Sequence, residues 1–329
     1  MLRKLILLLG LLGLCAPAAS AQRAAPPTVE RCVNLGNMLE APNEGEWGSY
    51  VEEYYLQTIA DAGFDAVRIP TKWSGHADLN PPYTIDAGFF DRLDEVIGWA
   101  LEADLTVILN IHHYDEMAWD PEGHLPRLIG LWEQIAAHYA DYPDTLIFEA
   151  MNEPNSTLTP ELWNTMQPQI VDTIRASNPT RTIVIGGGNW NSIDGLLTMD
   201  LPDDDHLLAT FHFYEPFNFT HQGAEWAPEM DAYLGMTWGG SVNDEANVAQ
   251  RLRLAATWSA QTGIPVLMGE FGAYNRADMD SRFKWTTYVR ETSESLGMGW
   301  CYWEFASGFA IFDPAARQFN ELLPALIPE

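Results

Sequence analysis

Eight short apolar runs alternate with segments of helical periodicity through most of this 329-residue chain. Each run has the length and character of a strand that is buried on both faces, as strands of parallel sheets are. The runs are Cys32–Leu35, Ala66–Ile69, Leu105–Ile111, Leu146–Ala150, Thr182–Ile185, Leu207–Phe211, Pro265–Met268 and Gly299–Tyr302. The helical segments are Val51–Ala62, Ala87–Leu101, Pro126–Tyr139, Pro160–Ala176, Glu245–Gln261 and Asp280–Leu296. This pattern predicts an α/β fold, a single (β/α)8 TIM barrel. A doubly wound sheet is the competing fold, but the chain has no Gly-rich phosphate loop for it.

The first residues have the pattern of a secretory signal peptide. Two basic residues precede the apolar run Leu5–Leu14, which is too short to span a bilayer as a helix. The small residues of Ala19-Ser20-Ala21 then match a cleavage signal. We therefore expect cleavage after Ala21, with residues 1–21 as the signal peptide and residues 22–329 as one (β/α)8 catalytic domain. This domain would be secreted, extracellular or periplasmic, and would not associate with a membrane after cleavage.

Cleavage would leave two cysteines, Cys32 and Cys301. Two cysteines do not form a disulfide framework, although they can pair in an oxidising compartment. Buried free thiols are the other interpretation, and the sequence leaves both open.

The charge of the chain excludes nucleic acid as a partner. It has 46 acidic and 17 basic residues, for a formal net charge of −29. A surface this acidic repels a phosphate backbone.

Polar and aromatic side chains follow six of the predicted strands at their C-terminal ends. The C-terminal ends of all strands of a (β/α)8 barrel meet at one rim, where the active sites of this fold form. These residues are Arg68, His112, His113, Asn152, Glu153, His212, Tyr214, Glu270 and Trp303. They predict a pocket that holds carboxylates, a guanidinium, imidazoles and an indole.

Two carboxylates at one rim indicate glycoside hydrolysis. This reaction needs a carboxylic acid that protonates the leaving oxygen and a second, ionised carboxylate at the anomeric carbon. We expect Glu153 to stay protonated through partial burial and the nearby charge of Glu270. Arg68 would keep Glu270 ionised and suited to attack. Asn152 can bind a sugar 2-hydroxyl, and Trp303 offers a flat face to a pyranose ring.

Six short motifs resemble glycoside hydrolase family 5, which belongs to the clan of (β/α)8 retaining glycosidases. They are Asn34-Leu35-Gly36-Asn37, Val67-Arg68-Ile69-Pro70, Asn110-Ile111-His112-His113, Asn152-Glu153-Pro154, His212-Phe213-Tyr214 and Gly269-Glu270-Phe271-Gly272. The resemblance implies that Glu153 is the acid/base and Glu270 the nucleophile. It also implies net retention through a covalent glycosyl-enzyme, with the carboxyl groups roughly 5–5.5 Å apart. Other recurrent active-site positions of the family fall on Arg68, His112, Asn152, His212, Tyr214 and Trp303.

The substrate is predicted from finer resemblances. Asn34-Leu35-Gly36-Asn37 followed by Leu39-Glu40-Ala41-Pro42, and the paired His112-His113, are similar to the endoglucanase branches of the family. They imply a cellulase that cuts β-1,4-glucan internally, with mannan, xyloglucan or mixed-linkage glucan as alternative substrates. The candidate sugar-stacking side chains, each of which could equally be packed in the core or a loop, are Trp47, Trp73, Trp190, Trp226 and Trp238.

Three other functions are weaker interpretations. A metal-dependent hydrolase is disfavoured because His112 and His113, adjacent on a strand, point to opposite faces, and no His-x-His or His-Glu-x-x-His pair is present. A serine hydrolase is disfavoured because the Gly-x-Ser-x-Gly motif is absent. A non-catalytic carbohydrate-binding barrel would be free to lose a glutamate, yet both are present. We expect no cofactor or metal, a polysaccharide or oligosaccharide partner, and a monomer.

Overall fold

The computed structural model describes residues 29–328. Eight parallel strands form a closed barrel in chain order, and the last strand pairs with the first. The strands are β1 (Arg31–Asn34), β2 (Ala66–Ile69), β3 (Thr106–Asn110), β4 (Leu146–Glu149), β5 (Ile183–Gly186), β6 (Leu207–Phe213), β7 (Val266–Phe271) and β8 (Gly299–Tyr302). The predicted (β/α)8 fold is therefore confirmed, and the strand bounds differ from the predicted ones by a few residues.

Helices surround this barrel and connect its strands. They are α1 (Glu53–Asp61), α2 (Ala87–Glu102), α3 (Pro121–His138), α4 (Pro160–Arg175), α5 (Ile193–Leu197), α6 (Phe217–Thr220), α7 (Val242–Thr262), α8 (Met279–Ser295) and α9 (Leu323–Leu326). The connections also contain 3-10 helices at Trp73–His76, Asp115–Ala118 and Pro228–Tyr233. A left-handed turn follows β5 at Gly188–Asn191. After β8, a small antiparallel hairpin pairs β9 (Phe312–Asp313) with β10 (Gln318–Phe319).

The predicted start of the third helix was wrong. The sequence pattern placed Pro126 in the first turn, but α3 begins earlier, at Pro121. Asp120 caps this helix by accepting a hydrogen bond from the backbone N–H of Gly123, and Pro121 is well suited to a first helical position because its missing N–H would have no partner there. Pro126 consequently lies inside the helix.

The interior of the barrel has an apolar layer below a polar layer. The apolar layer is formed by Cys32, Ala66, Ile108, Ile147, Val184, Leu208, Leu267 and Cys301 with Val29. Side chains alternate along a strand, so the residue two positions further along points to the same interior. The residues so placed on β1, β2, β3, β4 and β6 are Asn34, Arg68, Asn110, Glu149 and Thr210, and all five are buried. This alternation puts the polar layer directly beneath the C-terminal rim.

A disulfide joins the first and last strands of the barrel. Cys32 and Cys301 lie opposite each other in the register of β1 and β8, and their sulfur atoms are bonded. Of the two interpretations that the sequence left open, the structure contains the paired form.

The structure covers the domain that was predicted not to associate with a membrane, but not the predicted signal peptide. Within residues 29–328, none of the helices combines the length and apolar character needed to cross a bilayer. The predicted signal peptide and its cleavage site lie outside the described residues.

Candidate active site

Arg68 on β2 holds together the polar layer of the barrel. Its Nε and Nη2 donate hydrogen bonds of 2.6 and 2.7 Å to the two carboxylate oxygens of Glu149. Its Nη1 donates to Oε1 of Glu270 at 2.8 Å and to Oδ1 of Asn34 at 2.9 Å. Its Nη2 also donates to Oδ1 of Asn152 at 2.6 Å. A buried guanidinium is tolerated where such partners satisfy its donors, and these contacts fix the orientation of both Glu270 and Asn152.

Glu153 and Glu270 face each other across the rim. Glu153 follows β4 and Glu270 is on β7, and one carboxylate oxygen of each lies within 4.8 Å of the other. Retaining glycosidases have carboxyl groups about 5–5.5 Å apart, whereas inverting enzymes need about 6.5–9.5 Å to admit a water. The observed separation matches the retaining geometry.

Two residues at the end of β6 bind this pair of carboxylates. Nδ1 of His212 lies 2.6 Å from Oε1 of Glu153 and 3.5 Å from Oε2 of Glu270. The hydroxyl of Tyr214 donates a 2.8 Å hydrogen bond to Oε2 of Glu270. The strand register between β6 and β7 shifts between Phe211 and His212. His212 and Tyr214, two positions apart, both point at the carboxylates.

The two carboxylates differ in exposure. The side chain of Glu153 is 26% exposed, whereas the side chain of Glu270 is 6% exposed. Glu153 is thus the more accessible of the two to solvent, and Glu270 is enclosed by hydrogen-bond donors.

Burial shifts the pKa values of Glu153, Glu270 and His212. It raises the pKa of Glu153 to about 7, against the opposing charge of Arg68. It also raises the pKa of Glu270, although His212, Arg68 and the Tyr214 hydroxyl favour the ionised form. The Arg68 charge acts on Glu270 in the predicted direction, but burial outweighs it. Burial lowers the pKa of His212 to about 4, so its imidazole is neutral at neutral pH.

Trp303 and His112 form the aromatic side of the site. The indole of Trp303 stacks on the imidazole of His112, with ring centroids 5.7 Å apart and an angle of 14° between the planes. His112 is buried, and Nδ2 of Asn110 lies 3.2 Å from its Nδ1. Gly36 on the first loop is required here, because a Cβ at this position would lie 2.9 Å from the Trp303 ring. The indole keeps a partly exposed face.

His113 is the predicted site residue that lies at the outer edge of this network. It is exposed, it has a left-handed backbone with φ of 49°, and its ring meets the edge of Trp47 at 5.7 Å. Both histidines follow the end of β3 at Asn110, so the alternation of a strand does not set their directions, and their rings meet edge to face with centroids 4.5 Å apart. His113 instead lines a cavity next to Glu153. The other predicted residues, Arg68, His112, Asn152, Glu153, His212, Tyr214, Glu270 and Trp303, are brought together at the rim.

The candidate stacking tryptophans divide into buried and exposed residues. Trp73 and Trp238 are buried, and the indole N–H of Trp73 donates to the carbonyl of Asn110 at 2.9 Å. These two side chains therefore pack in the protein rather than present a face to a sugar. The exposed members of the set are Trp47, Trp190 and Trp226.

Sequence reasoning missed two members of the network, Glu149 and Asn34. Both lie within strands that were interpreted as apolar runs or their ends. Glu149 carried a usable signal, because an ionised carboxylate inside a buried strand requires a cationic partner. Arg68, on a strand near β4 in the barrel order, was the available cation.

Among the described residues, the side chains grouped closely enough to hold a metal ion at this site are Glu153, His212 and Glu270. Their nearest donor atoms already bind one another or Tyr214 through hydrogen bonds.

A (β/α)8 barrel with paired carboxylates after β4 and on β7 has the architecture of a glycoside hydrolase. A family model described as cellulase (glycosyl hydrolase family 5) matches residues 31–308. The chain belongs to glycosyl hydrolase family 5.

Named relatives and solved structures agree with this assignment. Endoglucanase H of Acetivibrio thermocellus is 37% identical over 322 residues, which cover 94% of this chain and 34% of that relative. The chain thus spans about a third of the length of that relative. Thermotoga maritima Cel5A in complex with cellobiose superposes with a TM-score of 0.90 at 44% identity, covering 91% of this chain and 97% of the other. Its complex with mannotriose gives a TM-score of 0.89 at 44% identity over the same shares.

Proposed function

We propose that this protein is a retaining endo-β-1,4-glucanase, with Glu270 as nucleophile and Glu153 as acid/base. The observation that carries the proposal is the pair of carboxylates within 4.8 Å of each other. This separation supports double displacement, in which a covalent glycosyl-enzyme forms and is then hydrolysed.

In the first step, Glu270 attacks the anomeric carbon while Glu153 gives its proton to the glycosidic oxygen. The raised pKa of Glu153, about 7, supports the role of a proton donor. Arg68 and Tyr214 hydrogen-bond the two oxygens of Glu270 and orient the carboxylate for attack. The glycosidic C–O bond breaks, and the protonated leaving sugar departs.

In the second step, Glu153 removes a proton from water, which attacks the anomeric carbon and releases Glu270. The Glu270 ester carries no charge, so a nearby negative charge is absent at this stage and the pKa of Glu153 falls. Glu153 is then suited to act as a base. The product keeps its original anomeric configuration, because two displacements invert twice.

The relatives support β-1,4-glucan as the substrate, since their names describe endoglucanases. Mannan is the second candidate, because a structure 44% identical to this chain is described in complex with mannotriose as substrate. Xyloglucan and mixed-linkage glucan, the other two substrates that the sequence left open, are distinguished from these by direct assay.

The test is a panel of carboxymethyl cellulose, barley glucan, xyloglucan and mannan, assayed by reducing-sugar release and by product size over time. We expect rapid production of mixed oligosaccharides from carboxymethyl cellulose, as internal cleavage requires. Glu153→Gln and Glu270→Gln should lose turnover, and Glu291→Gln, an exposed glutamate on α8, should keep it. Near-normal turnover in either site variant, with folding intact, would refute the assignment.

We also propose that the protein is exported and acts as a monomer, with signal cleavage after Ala21. The Arg3-Lys4 and Leu5–Leu14 pattern supports export, and so does the Cys32–Cys301 disulfide, since such bonds persist in oxidising compartments. N-terminal sequencing of the exported protein should begin at Gln22, and size-exclusion chromatography with light scattering should give a single-chain mass.

A further inference from the structure

Glu304 is a buried acidic residue beside the site, and the two reaction steps described above do not use it. It directly follows Trp303, and its exposed fraction is 0%, so neither substrate nor solvent touches its side chain. Burying a carboxyl group costs free energy unless hydrogen-bond donors satisfy its oxygens. The donors around Glu304 therefore show which part of the chain it holds in place.

Backbone N–H groups of the turn after β8 satisfy both oxygens of Glu304. The N–H of Ser307 donates to Oε1 and to Oε2, both at 2.9 Å, and the N–H of Ala306 donates to Oε2 at 3.1 Å. The N–H of Phe309 donates to Oε1 at 3.0 Å. Residues 305–309 form neither helix nor strand, so these N–H groups have no partner in a regular element. One side chain thus determines the path of the main chain through this turn.

The turn begins next to Trp303, whose backbone is fixed against the end of β7. The N–H of Trp303 donates to the carbonyl of Phe271 at 2.8 Å. The carbonyl oxygen of Trp303 lies against Gly272, where a Cβ would be only 2.1 Å from it. Phe271 and Gly272 directly follow the nucleophile Glu270. The position of Trp303 relative to Glu270 consequently depends on the backbone geometry at this junction.

The indole of Trp303 is closely packed on its buried side. A Cβ at Gly36 would lie 2.9 Å from the ring and 3.1 Å from Cβ of Glu304, so the first loop packs against both residues. The indole also stacks on the imidazole of His112. Protein interiors are close-packed and transmit strain. A change in the turn at Glu304 would therefore displace the indole rather than be absorbed by empty space.

We propose that Glu304 is a positioning residue for this reaction, because it holds the turn after β8 so that the indole of Trp303 faces the sugar ring next to Glu270. This role rests on the glycosidase function proposed above, in which Glu270 attacks that ring. Glu304 touches neither the substrate nor the reacting atoms, and it acts through Trp303.

The first test compares two carboxyl groups that accept backbone N–H bonds at opposite ends of the barrel. Asp65 precedes β2 and accepts from the N–H groups of Glu30 and Arg31 at 3.1 and 2.9 Å, at the N-terminal end of the strands. Glu304→Gln keeps the size of the side chain but places an NH2 group against backbone N–H donors. We expect its kcat/KM on cellopentaose to fall roughly 2- to 30-fold. Asp65→Asn makes the same chemical change and should lower the free energy of unfolding while keeping the parent kcat/KM.

The second test is a double-mutant cycle with Trp303→Phe, which keeps a smaller flat ring. Because residues that act through each other are not additive, Glu304→Gln should cost much less kcat/KM in the Trp303→Phe background than in the parent. Glu304→Asp, which keeps both oxygens on a shorter side chain, is the second variant and should show the same dependence on Trp303.

Three results would overturn this role of Glu304. They are an unchanged kcat/KM in folded Glu304→Gln, a loss no larger than that of Asp65→Asn, and losses that add fully with Trp303→Phe. Urea unfolding of each variant ensures that rates are compared for folded protein. Turnover of cellopentaose by the parent tests the glycosidase function separately, since every value for Glu304 is a ratio to the parent.

Discussion

Nδ1 of His212 lies 2.6 Å from Oε1 of Glu153. Burial lowers the pKa of His212 to about 4, so its ring is neutral, and its Nδ1 can accept or donate a hydrogen bond depending on the tautomer. Within the described residues its Nε2 is buried without a hydrogen-bond partner. The histidine can therefore bind Glu153 in both the protonated and the ionised state, as an acid/base residue requires.

The pH dependence of kcat/KM follows from the two glutamates. Because Glu153 has to be protonated and its pKa is raised to about 7, activity should fall about tenfold per pH unit above that value. Because Glu270 has to be ionised and its pKa is raised above 4.5, the acidic limb should lie above pH 4.5. Initial rates on carboxymethyl cellulose between pH 4 and 9 measure both limbs. A rate on carboxymethyl cellulose that does not fall above pH 7 in the parent protein would contradict the assignment of this limb to Glu153.

Tyr214→Phe should move the acidic limb to higher pH. The hydroxyl donates to Oε2 of Glu270, and losing a donor that favours the ionised carboxylate raises the pKa of that group further. We expect kcat/KM to fall about tenfold at the optimum, the value of one hydrogen bond to a charged group. Tyr302→Phe is the matched control, because the hydroxyl of Tyr302 donates to the backbone carbonyl of Phe309 instead. If Tyr302→Phe moved the acidic limb as far as Tyr214→Phe does, the hydrogen bond to Glu270 could not be the cause.

Arg68→Met should destabilise the fold as well as the site. It leaves the carboxylate of Glu149 buried and unpaired, which costs about 3–5 kcal/mol in the free energy of unfolding. Urea unfolding measures this loss, and the double variant with Glu149→Leu should recover part of it. Arg251→Met, which breaks ion pairs with the half-exposed Glu215 and the exposed Asp194, should cost less than about 1 kcal/mol. Equal losses for the two arginines would show that the buried pair has no special role.

Because Cys32 and Cys301 form a disulfide, we expect a reductant to lower the stability of the protein. Cys32 and Cys301 are separated by 269 residues along the chain, so their bond restricts a very long loop of the unfolded chain. Urea unfolding with reductant should lower the free energy of unfolding by about 2–4 kcal/mol. The variant Cys32→Ala/Cys301→Ala should be insensitive to reductant. A parent protein whose free energy of unfolding does not change with reductant would contradict a stabilising role for this bond.

The barrel and most of its site could be predicted from the sequence because strand-length apolar runs and helical periodicity are both visible in it. Apolar runs of strand length, separated by helical segments, determine the (β/α)8 order, and polar residues at strand ends collect at one rim. Arg68, Glu153 and Glu270 could be identified on that basis, since charges at the ends of buried strands need a common solvent-facing site.

The contacts within the barrel could not be predicted in the same way. Glu149 looks like an ordinary strand residue until the closed barrel brings it to Arg68. The exposed position of His113 goes with one left-handed backbone angle, which the sequence does not reveal. The start of α3 was misjudged because two prolines, Pro121 and Pro126, could each open a helix, and the Asp120 cap decides between them. Pairing of the cysteines likewise depends on the register of β1 and β8.

The most direct test of the double-displacement mechanism is to trap the covalent intermediate. A 2-deoxy-2-fluoro-β-cellobioside with a good leaving group slows the second step more than the first, so the glycosyl-enzyme accumulates. Peptide mass spectrometry of the inactivated protein should find one deoxyfluoro-cellobiosyl group, attached to Glu270. A label on another residue, or an unlabelled enzyme that releases the inverted α-anomer from cellopentaose, would contradict the account.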